Sequence, residues 1–205
     1  MTTSRTYRSE LREQQSRHTR RLIAAAARER FLDGGWAGTT VRSVAELAGV
    51  SEATVYNVYG SKAGLASSLI DAAEQSADVE RAVAELAAPE ADPSAQLRAF
   101  VAFDRRLYEL GGDVIRVIAE ARRQHPELGA AYEEGRSRGE AQRRRVFATW
   151  PASVWRAGVD VDHALAVYAL IASLDSYVVA TAERGWSADA LEEWWHRTLC
   201  ELLFA

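Results

Sequence analysis

The sequence predicts an all-α protein with about nine helices, and three observations carry this prediction. Apolar residues recur at helical spacing along almost the whole chain. The alternation typical of strands is nearly absent. Turn residues interrupt the helical pattern, as at Gly34-Gly35 and Asp92-Pro93. Of the 205 residues, 48% are apolar, which is enough for one large or two small hydrophobic cores.

The expected helices follow from these interruptions. The first runs from about Thr19 to Asp33, and Gly34-Gly35 ends it. Gly111-Gly112 is expected to break a helix that starts after Asp92. Ser187 is expected to cap the last helix. After the first helix, the expected helices span about 41–48, 52–58, 62–76, 93–110, 113–124, 126–149, 160–184 and 188–203.

Charge is divided unequally along the chain. The net charge is −4, but residues 1–62 carry +4 and residues 63–205 carry −8. A basic end on an acidic body suggests that the end meets a polyanion. Arginines of the N-terminal extension either follow phosphates or enter a minor groove, or they belong to a solvated end, which is favoured from Arg5 to Arg12. These arginines are Arg5, Arg8, Arg12, Arg17, Arg20 and Arg21.

The stretch VRSVAELAGVSEATVYNVYGSK, residues 41–62, predicts a helix-turn-helix. Ala45 provides a small side chain where the two helices cross, and Gly49 tolerates the positive φ of the turn. Thr40 and Ser51 each precede a helix as expected N-caps, and the free amides there suit phosphate oxygens. The expected apolar anchors are Val44, Leu47, Val50, Val55 and Val58.

The second of these helices has an exposed face that suits a DNA groove. Its residues offer a methyl group for thymine, hydroxyl groups, and an amide that can pair with adenine. Tyr56 and Tyr59 are placed to reach phosphates. Lys62 lies in the next helix's first turn, where the helix dipole disfavours a cation unless a phosphate is near. Glu52 either accepts from cytosine or caps its own helix and faces solvent. The face comprises Glu52, Ala53, Thr54, Tyr56 and Asn57.

From about Arg21 to Leu69 the chain resembles the N-terminal domain of TetR-family transcriptional regulators. The segment RLIAAAARERFLDGGWAGTTVRSVAELAGVSEATVYNVYGSKAGL carries the resemblance, with Tyr59 where the family usually has Phe. The resemblance implies a homodimeric, two-domain, all-α protein whose C-terminal domain binds a small molecule that releases DNA. It implies phosphate contacts by Thr40 and Arg42 and backbone contacts by Tyr56 and Lys62. It implies base contacts by Glu52, Ala53, Thr54 and Asn57. Ser51 and Tyr59 complete the expected DNA-binding set.

Three segments are expected along the chain. Residues 1–18 form a basic N-terminal extension, residues 19–66 form the helix-turn-helix DNA-binding domain, and residues 67–205 form a helical effector-binding and dimerisation domain. The helix that starts at Ser61 is expected to link the two halves.

The last two helices predict a dimer interface. The helix at 160–184 is apolar on nearly all sides, so it needs two partners. One is its own core. The other is either the same helix pair of a second subunit or more of the core in a monomer, and the dimer is favoured because DNA-reading dimers need a fixed half-site separation. Recognition helices in such a dimer lie about 34 Å apart. The expected interface residues are Val167, Leu170, Ile171, Leu174, Val178, Leu191, Trp194, Trp195, Leu199 and Leu202.

Aromatic and apolar residues of the second half either line an effector pocket or pack the core, and core packing is the commoner role of such residues. The arginines at 143–145 are expected on a solvated helix face. The candidate pocket residues are Phe100, Phe103, Leu107, Tyr108, Ile118, Trp150, Trp155, Tyr168, Ser173 and Tyr177.

The sequence therefore favours a cytoplasmic, ligand-responsive repressor that binds a near-palindromic site on double-stranded DNA as a homodimer. The alternatives are a sequence-indifferent nucleoid-type binder, and a small-molecule-binding or enzymatic protein that kept the fold. Catalytic motifs are lacking, so no enzyme and no cofactor are expected. His196 and Cys200 have too few companions for a metal site. No run of 18 apolar residues occurs, so no membrane partner is expected.

Overall fold

The computed structural model describes residues 3–88 and 92–205, with the side chains of residues 13–88, 92–130 and 132–205. These residues form ten α-helices and no strand, apart from an isolated antiparallel bridge between Trp155 and Phe204. The expected all-α fold class is confirmed. The helices are α1 Thr3–Gly38, α2 Val41–Ala48, α3 Glu52–Tyr59, α4 Lys62–Ser76, α5 Val79–Leu86, α6 Pro93–Ala121, α7 Pro126–Phe147, α8 Val161–Ile171, α9 Leu174–Val178 and α10 Ala188–Leu203.

The chain divides into two compact units. Unit 1 consists of Met1–Ile70 and Val117–Tyr132, and unit 2 consists of Asp71–Arg116 and Glu133–Ala205. Helix α4 passes from one unit to the other, in keeping with the linking role expected of it. The corner between α6 and α7 belongs to unit 1, although its position in the sequence is well inside the expected C-terminal domain.

Helix α1 is longer than its sequence pattern suggested. It begins at Thr3 instead of Thr19, because residues 3–18 contain no Gly or Pro and are rich in Arg, Glu and Gln, which favour helices. Non-helical backbone at Gly35, with φ 62° and ψ −171°, interrupts it near the expected end. The side chains of Arg5, Arg8 and Arg12 lie outside the described residues.

Unit 1 packs around an apolar centre that holds α2 and α3 against α1. Ala45 is buried in this centre, as expected of the small residue in α2, and Gly49 ends that helix with a left-handed φ of 67°. Leu47 was expected to be an anchor but faces solvent. Val50 and Val58 are half-buried. The buried centre includes Ile23, Ala27, Phe31, Val44, Ala45, Val55, Leu65, Ile118 and Leu128.

The two glycines in the middle of α6 allow close packing and do not end the helix, contrary to expectation. A Cβ atom on Gly111 would lie 2.3 Å from the Cβ of Ala73, so the bare backbone admits a neighbouring side chain. A Cβ atom on Gly112 would lie 3.1 Å from Cδ1 of Leu174. Each glycine costs a helix about 1 kcal/mol relative to alanine, and burial against the neighbours offsets this.

The single helix expected at 160–184 is divided at Ser173. The Ser173 hydroxyl accepts a hydrogen bond from the Ser176 N–H, and the Ser176 hydroxyl accepts one from the Ser173 N–H. Serine side chains that bond nearby backbone compete with a continuous helix, so a new helix, α9, starts here. One π-helical turn, Val179–Glu183, follows α9. Helix α5 was not expected, and Asp78 caps it by accepting from the Arg81 N–H.

A buried ion pair lies in the core of unit 2. Arg143 Nη2 donates to Asp104 Oδ2 at 2.5 Å, and the Tyr168 hydroxyl donates to the same oxygen at 2.8 Å. Burial disfavours the guanidinium charge, but the carboxylate outweighs burial and raises the pKa of Arg143. The prediction that Arg143 lies on a solvated helix face is therefore wrong. The surrounding core includes Leu97, Phe100, Val101, Phe147, Trp150, Leu165, Leu191, Trp195, Leu199 and Leu203.

Much of the apolar surface around α8 and α9 is not covered within the chain. The helical stretch Val161–Glu183 has a mean hydropathy of 1.6 in its most apolar window, of which only 22% is buried. By length and composition alone it could cross a membrane, although the uninterrupted apolar run that usually marks such a helix is absent.

We expect Gly111→Ala to lower the free energy of unfolding by about 1–2 kcal/mol, because overpacking outweighs the gain in helix propensity. Gly112→Ala is the matched control. Its new methyl group comes closest to the flexible tip of Leu174 and makes an ordinary contact with Cβ of Tyr108, so it should leave stability unchanged or raise it by up to about 1 kcal/mol. Guanidinium denaturation checks both, and equal effects of the two changes would contradict the packing explanation.

Candidate nucleic-acid interface

The two helices of the predicted helix-turn-helix begin with the expected caps. Thr40 Oγ1 accepts from the Ser43 N–H at 3.0 Å, and Ser51 Oγ accepts from the Thr54 N–H at 3.1 Å. Ser43 completes a capping box by accepting from the Thr40 N–H. These bonds confirm both N-caps. Because Thr40 Oγ1 acts as an acceptor here, its own proton can point outward to a phosphate oxygen.

Helix α3 is anchored by one side chain and exposes most of the others. Val55 is buried, whereas the exposed side chains of the helix carry polar groups, except for the methyl group of Ala53. Thr54 is half-buried, and its hydroxyl lies 2.9 Å from that of Ser51. A single apolar anchor fixes the helix and leaves its outer face free to contact another molecule. The exposed residues are Ser51, Glu52, Ala53, Tyr56 and Asn57.

Arg42 lies on the exposed side of α2, but it already has an acidic neighbour. Its Nε donates to Glu46 Oε1 at 2.9 Å, and this hydrogen bond raises the pKa of Arg42. The pair is almost fully exposed, so water screens it strongly. Such a weak pair can exchange the carboxylate for a phosphate.

Tyr59 has an intramolecular partner at the end of α3. Its hydroxyl donates to the backbone oxygen of Arg20 at 3.1 Å, and burial raises the pKa of the phenol. This bond holds α1 against the last residue of α3. The DNA contact expected of Tyr59 stays a prediction, and its hydroxyl proton is already used in this structure.

Lys62 also has a partner inside unit 1. Its ammonium group donates to the backbone oxygen of Trp36 and lies 4.0 Å from the centroid of the Trp36 ring, and burial lowers the pKa of Lys62. The positive charge of Lys62 in the first turn of α4, which the helix dipole disfavours, thus has partners within unit 1 and does not require a phosphate. A DNA contact by Lys62 stays a prediction, and it would compete with these bonds.

Two residues that organise this surface were not singled out from the sequence. Trp36 stacks on Phe31 at 5.5 Å and meets the His125 ring at 5.8 Å. Thr39 is 2% exposed, and its hydroxyl lies 2.7 Å from the oxygen of Arg30 and 2.8 Å from that of Gly35. Two adjacent threonines were the available signal, because only one of them can be the N-cap of α2.

The expected pocket residues are mostly packed against one another. Phe100, Trp150 and Tyr168 belong to the core of unit 2, and Tyr108, Trp155 and Tyr177 pack against it. Phe103 and Leu107 are half-buried, and Ser173 caps α9. Ile118 is buried and belongs to unit 1, whereas the other candidate residues belong to unit 2. Which of them contact an effector stays a prediction.

The expected dimer residues fall into two groups. Leu191, Trp195 and Leu199 are fully buried in the core of their own chain, so we remove them from the expected interface. They were included because α10 has one broad apolar stripe, and the structure turns part of that stripe inward. The remaining residues lie at the surface or are half-buried. These are Val167, Leu170, Ile171, Leu174, Val178, Trp194 and Leu202.

His196 and Cys200 belong to a hydrogen-bonded cluster in unit 2. His196 Nε2 lies 3.1 Å from the oxygen of Ser94 and 3.5 Å from Cys200 Sγ, and burial lowers the pKa of His196. Within the part of the chain that the structure describes, no group of three or more His, Cys, Asp or Glu side chains is arranged to hold a metal ion.

A helix-turn-helix with a free outer face is typical of DNA-binding transcription regulators. Residues 23–69 match the family model of bacterial regulatory proteins, tetR family. The N-terminal helix-turn-helix is therefore of the TetR family, and the resemblance seen in the sequence is confirmed. No curated protein matches this sequence.

Solved structures with the same fold cover nearly the whole chain. NalD of Pseudomonas aeruginosa, a secondary repressor of the MexAB-OprM multidrug efflux pump, is 21% identical, with a TM-score of 0.72 over 91% of this chain and 97% of NalD. A transcriptional regulator of Saccharomonospora viridis in complex with choline is 20% identical, with a TM-score of 0.68 over 91% and 97% of the two chains. FadR of Bacillus halodurans, a fatty acid degradation regulator, is 16% identical, with a TM-score of 0.67 over 89% and 94%.

We expect Thr39→Val to lower the free energy of unfolding by about 1–3 kcal/mol, because it removes the hydrogen bonding of the buried Thr39 hydroxyl to the backbone oxygens of α1. Thr149→Val is the matched control, since the Thr149 hydroxyl bonds the Val146 oxygen in an exposed place where water can replace it. Chemical denaturation measures both. A Thr39 variant as stable as the control would show that this hydroxyl does not hold the end of α1.

Proposed function

We propose that this protein is a sequence-specific transcription regulator that binds DNA as a homodimer, and most simply a repressor that a small molecule releases. The exposed outer face of α3 carries the proposal. It combines an amide, a methyl group and hydroxyl groups on a helix that a single buried valine anchors. An α-helix fits the major groove, where each base pair presents a distinct pattern of donors and acceptors.

Different residues serve base contact and backbone contact in this proposal. Asn57 can pair with the N6 and N7 positions of adenine, and the methyl groups of Ala53 and Thr54 suit thymine. Glu52 either accepts from cytosine or remains in solvent. Backbone contacts position the protein without selecting sequence. They are assigned to Thr40, Arg42, Ser51, Tyr56, Tyr59 and Lys62.

The uncovered apolar surface of unit 2 supports a homodimer. Leu170 on α8 is 77% exposed, and Val179, Trp186 and Leu202 are also exposed in this unit. Burying apolar surface contributes about 25 cal/mol per Å², so a second copy that covers these side chains would be strongly favoured. A two-fold pairing suits two inverted half-sites whose centres are about 34 Å apart.

The proposed effector acts through the two-unit construction of the chain. Helix α4 belongs to both units, so a ligand in unit 2 that prefers one position of α4 would change the setting of α3. The choline complex of the Saccharomonospora viridis protein supports a small-molecule site on this fold. Its residues here are proposed among the candidate pocket residues named above. DNA in the cytoplasm is the other partner, and no catalytic step is assigned.

Selection of bound duplexes from a random pool at about 0.1 M salt tests the proposal. Recovery of an inverted repeat is the expected result. Recovery of no sequence, with binding that falls as salt rises, would replace the proposal with the nucleoid-type alternative. Absence of binding to any duplex would sink DNA binding altogether, and the small-molecule-binding or enzymatic alternative would then lead.

Asn57→Ala should reduce discrimination at one base position by about 1–3 kcal/mol, or roughly 5- to 150-fold in relative affinity. Tyr56→Phe is the control for backbone contact, and it should weaken binding to matched and scrambled duplexes alike. Fluorescence anisotropy titrations at one salt concentration measure both ratios. If Asn57→Ala weakened both duplexes equally, the assignment of base contact to Asn57 would be wrong.

Leu170→Asp should convert the dimer to a monomer, because it places a charge within the proposed apolar contact. Val83→Asp is the matched control, since Val83 is a similarly exposed apolar residue on α5. Sedimentation velocity measures the mass of both variants and of the unaltered protein. Dimers in all three samples would exclude this face, and monomers in all three would exclude the homodimer.

A further inference from the structure

The N-terminal turns of α1 extend beyond the segment that matches the family model, and from residue 13 onward they expose polar side chains. The matched segment starts at residue 23, but α1 starts at Thr3. From residue 13 to residue 21 every side chain is exposed except that of Thr19, which is half-buried. A helix that is polar on all sides gains little from packing within its own chain. We therefore expect this segment to contact another molecule.

Three arginines mark one face of this segment. Arg17, Arg20 and Arg21 are spaced i, i+3 and i+4, so they lie on the same side of the helix. Within the described part of the chain, none of them forms an ion pair with a carboxylate. By contrast, Arg98 and Arg144 in unit 2 are paired with Glu193 and Asp162, although they are similarly exposed. Among the residues whose side chains the structure describes, no ion pair therefore neutralises the positive charge of this α1 face.

The structure places this face next to the proposed recognition helix. The hydrogen bond from the Tyr59 hydroxyl to the Arg20 oxygen joins the last residue of α3 to the middle of the arginine cluster. With a rise of 1.5 Å per residue, Arg17 lies only about 4.5 Å further along the axis of α1. A molecule that occupies the outer face of α3 would thus continue past the arginines.

We propose that Arg17, Arg20 and Arg21 form a second DNA-contact face, which binds phosphates of the duplex flanking the base pairs contacted by α3. The inference rests on the proposed DNA-binding function and adds a surface to it. Guanidinium groups bind phosphate oxygens through two parallel hydrogen bonds, which suits a row of unpaired arginines beside a groove. These contacts strengthen binding and carry no sequence information.

The test compares two triple variants of the full chain that change the charge equally. Arg17→Gln/Arg20→Gln/Arg21→Gln removes the proposed face. Arg136→Gln/Arg145→Gln/Arg156→Gln removes three exposed arginines of unit 2. Binding constants are measured by fluorescence anisotropy across a salt series. Two duplexes are used, one trimmed to the selected half-sites and one with about one helical turn of flanking DNA on each side.

On the longer duplex the α1 variant should bind more weakly, and the control should bind like the unaltered protein. The plot of log affinity against log salt should become shallower by about 0.9 for each lost phosphate contact, which amounts to roughly 2–3 per protomer. The ratio of affinities for matched and scrambled duplexes should not change. On the trimmed duplex the difference between the variants should largely disappear.

The inference fails if the α1 variant and the control have the same salt dependence on the longer duplex while both bind it. It also fails if the loss is as large on the trimmed duplex, because the arginines would then not contact flanking DNA. If the unaltered protein binds neither duplex, the proposed function itself fails. These three results are distinguishable, and circular dichroism shows that each variant remains helical.

Discussion

Side chains of neighbouring elements hold the end of helix α1 by bonding backbone carbonyl oxygens in its last turns. The Thr39 hydroxyl lies within hydrogen-bonding distance of the Arg30 and Gly35 oxygens, and the Lys62 ammonium donates to the Trp36 oxygen. Thr39 immediately precedes the N-cap of α2, and Lys62 begins α4. These bonds therefore fix where the helix-turn-helix starts and where the next helix leaves it. The exposed face of α3 depends on this frame, since α3 itself has only one fully buried anchor.

The bonds that hold α1 also limit how far the sequence alone could define DNA contacts. Lys62 and Tyr59 are predicted to contact phosphates, and in the structure both hold α1. The two roles are compatible, because a cation bound to a carbonyl oxygen can move to a phosphate when DNA approaches. The Trp36 ring would then lose its cation, and its other contacts, with Phe31 and His125, would remain. In the proposed function, DNA binding and the packing of unit 1 would thus be linked through one tryptophan.

Unit 2 combines a specific core with an uncovered surface. The pair between Asp104 and Arg143 must form for the core to close, because either charge alone would be strongly destabilising when buried. Near it, α8 presents Leu170 outward and Tyr168 inward, so one side of the helix packs in the core and the other side is exposed. Because the helix is interrupted at Ser173, the apolar surface changes direction between α8 and α9. In the proposed dimer this surface sets the distance between recognition helices.

Local signals predicted the helix-turn-helix well. The bounds of α2 match those expected and those of α3 differ by one residue, because capping hydroxyls and a left-handed glycine act within a few residues of each other. Features that depend on distant partners were not predictable. Gly111 looked like a helix end until Ala73 was seen against it, and Arg143 looked solvated until Asp104 was seen beside it. Trp36 lacked any local pattern, because its role comes from Lys62 and His125.

Changing the spacing of the two half-sites tests the central claim that paired subunits hold two copies of α3 at a fixed separation on DNA. About five base pairs inserted at the centre of the selected inverted repeat turn one half-site to the opposite side of the duplex. The account predicts that affinity for this duplex falls to about that for a duplex with one half-site. Insertion of ten base pairs in total returns the half-sites to the same side of the duplex but adds about 34 Å between them, so a dimer of fixed spacing should not regain its affinity. Unchanged affinity after the first insertion would contradict the account, because it would mean that each copy of α3 binds DNA independently.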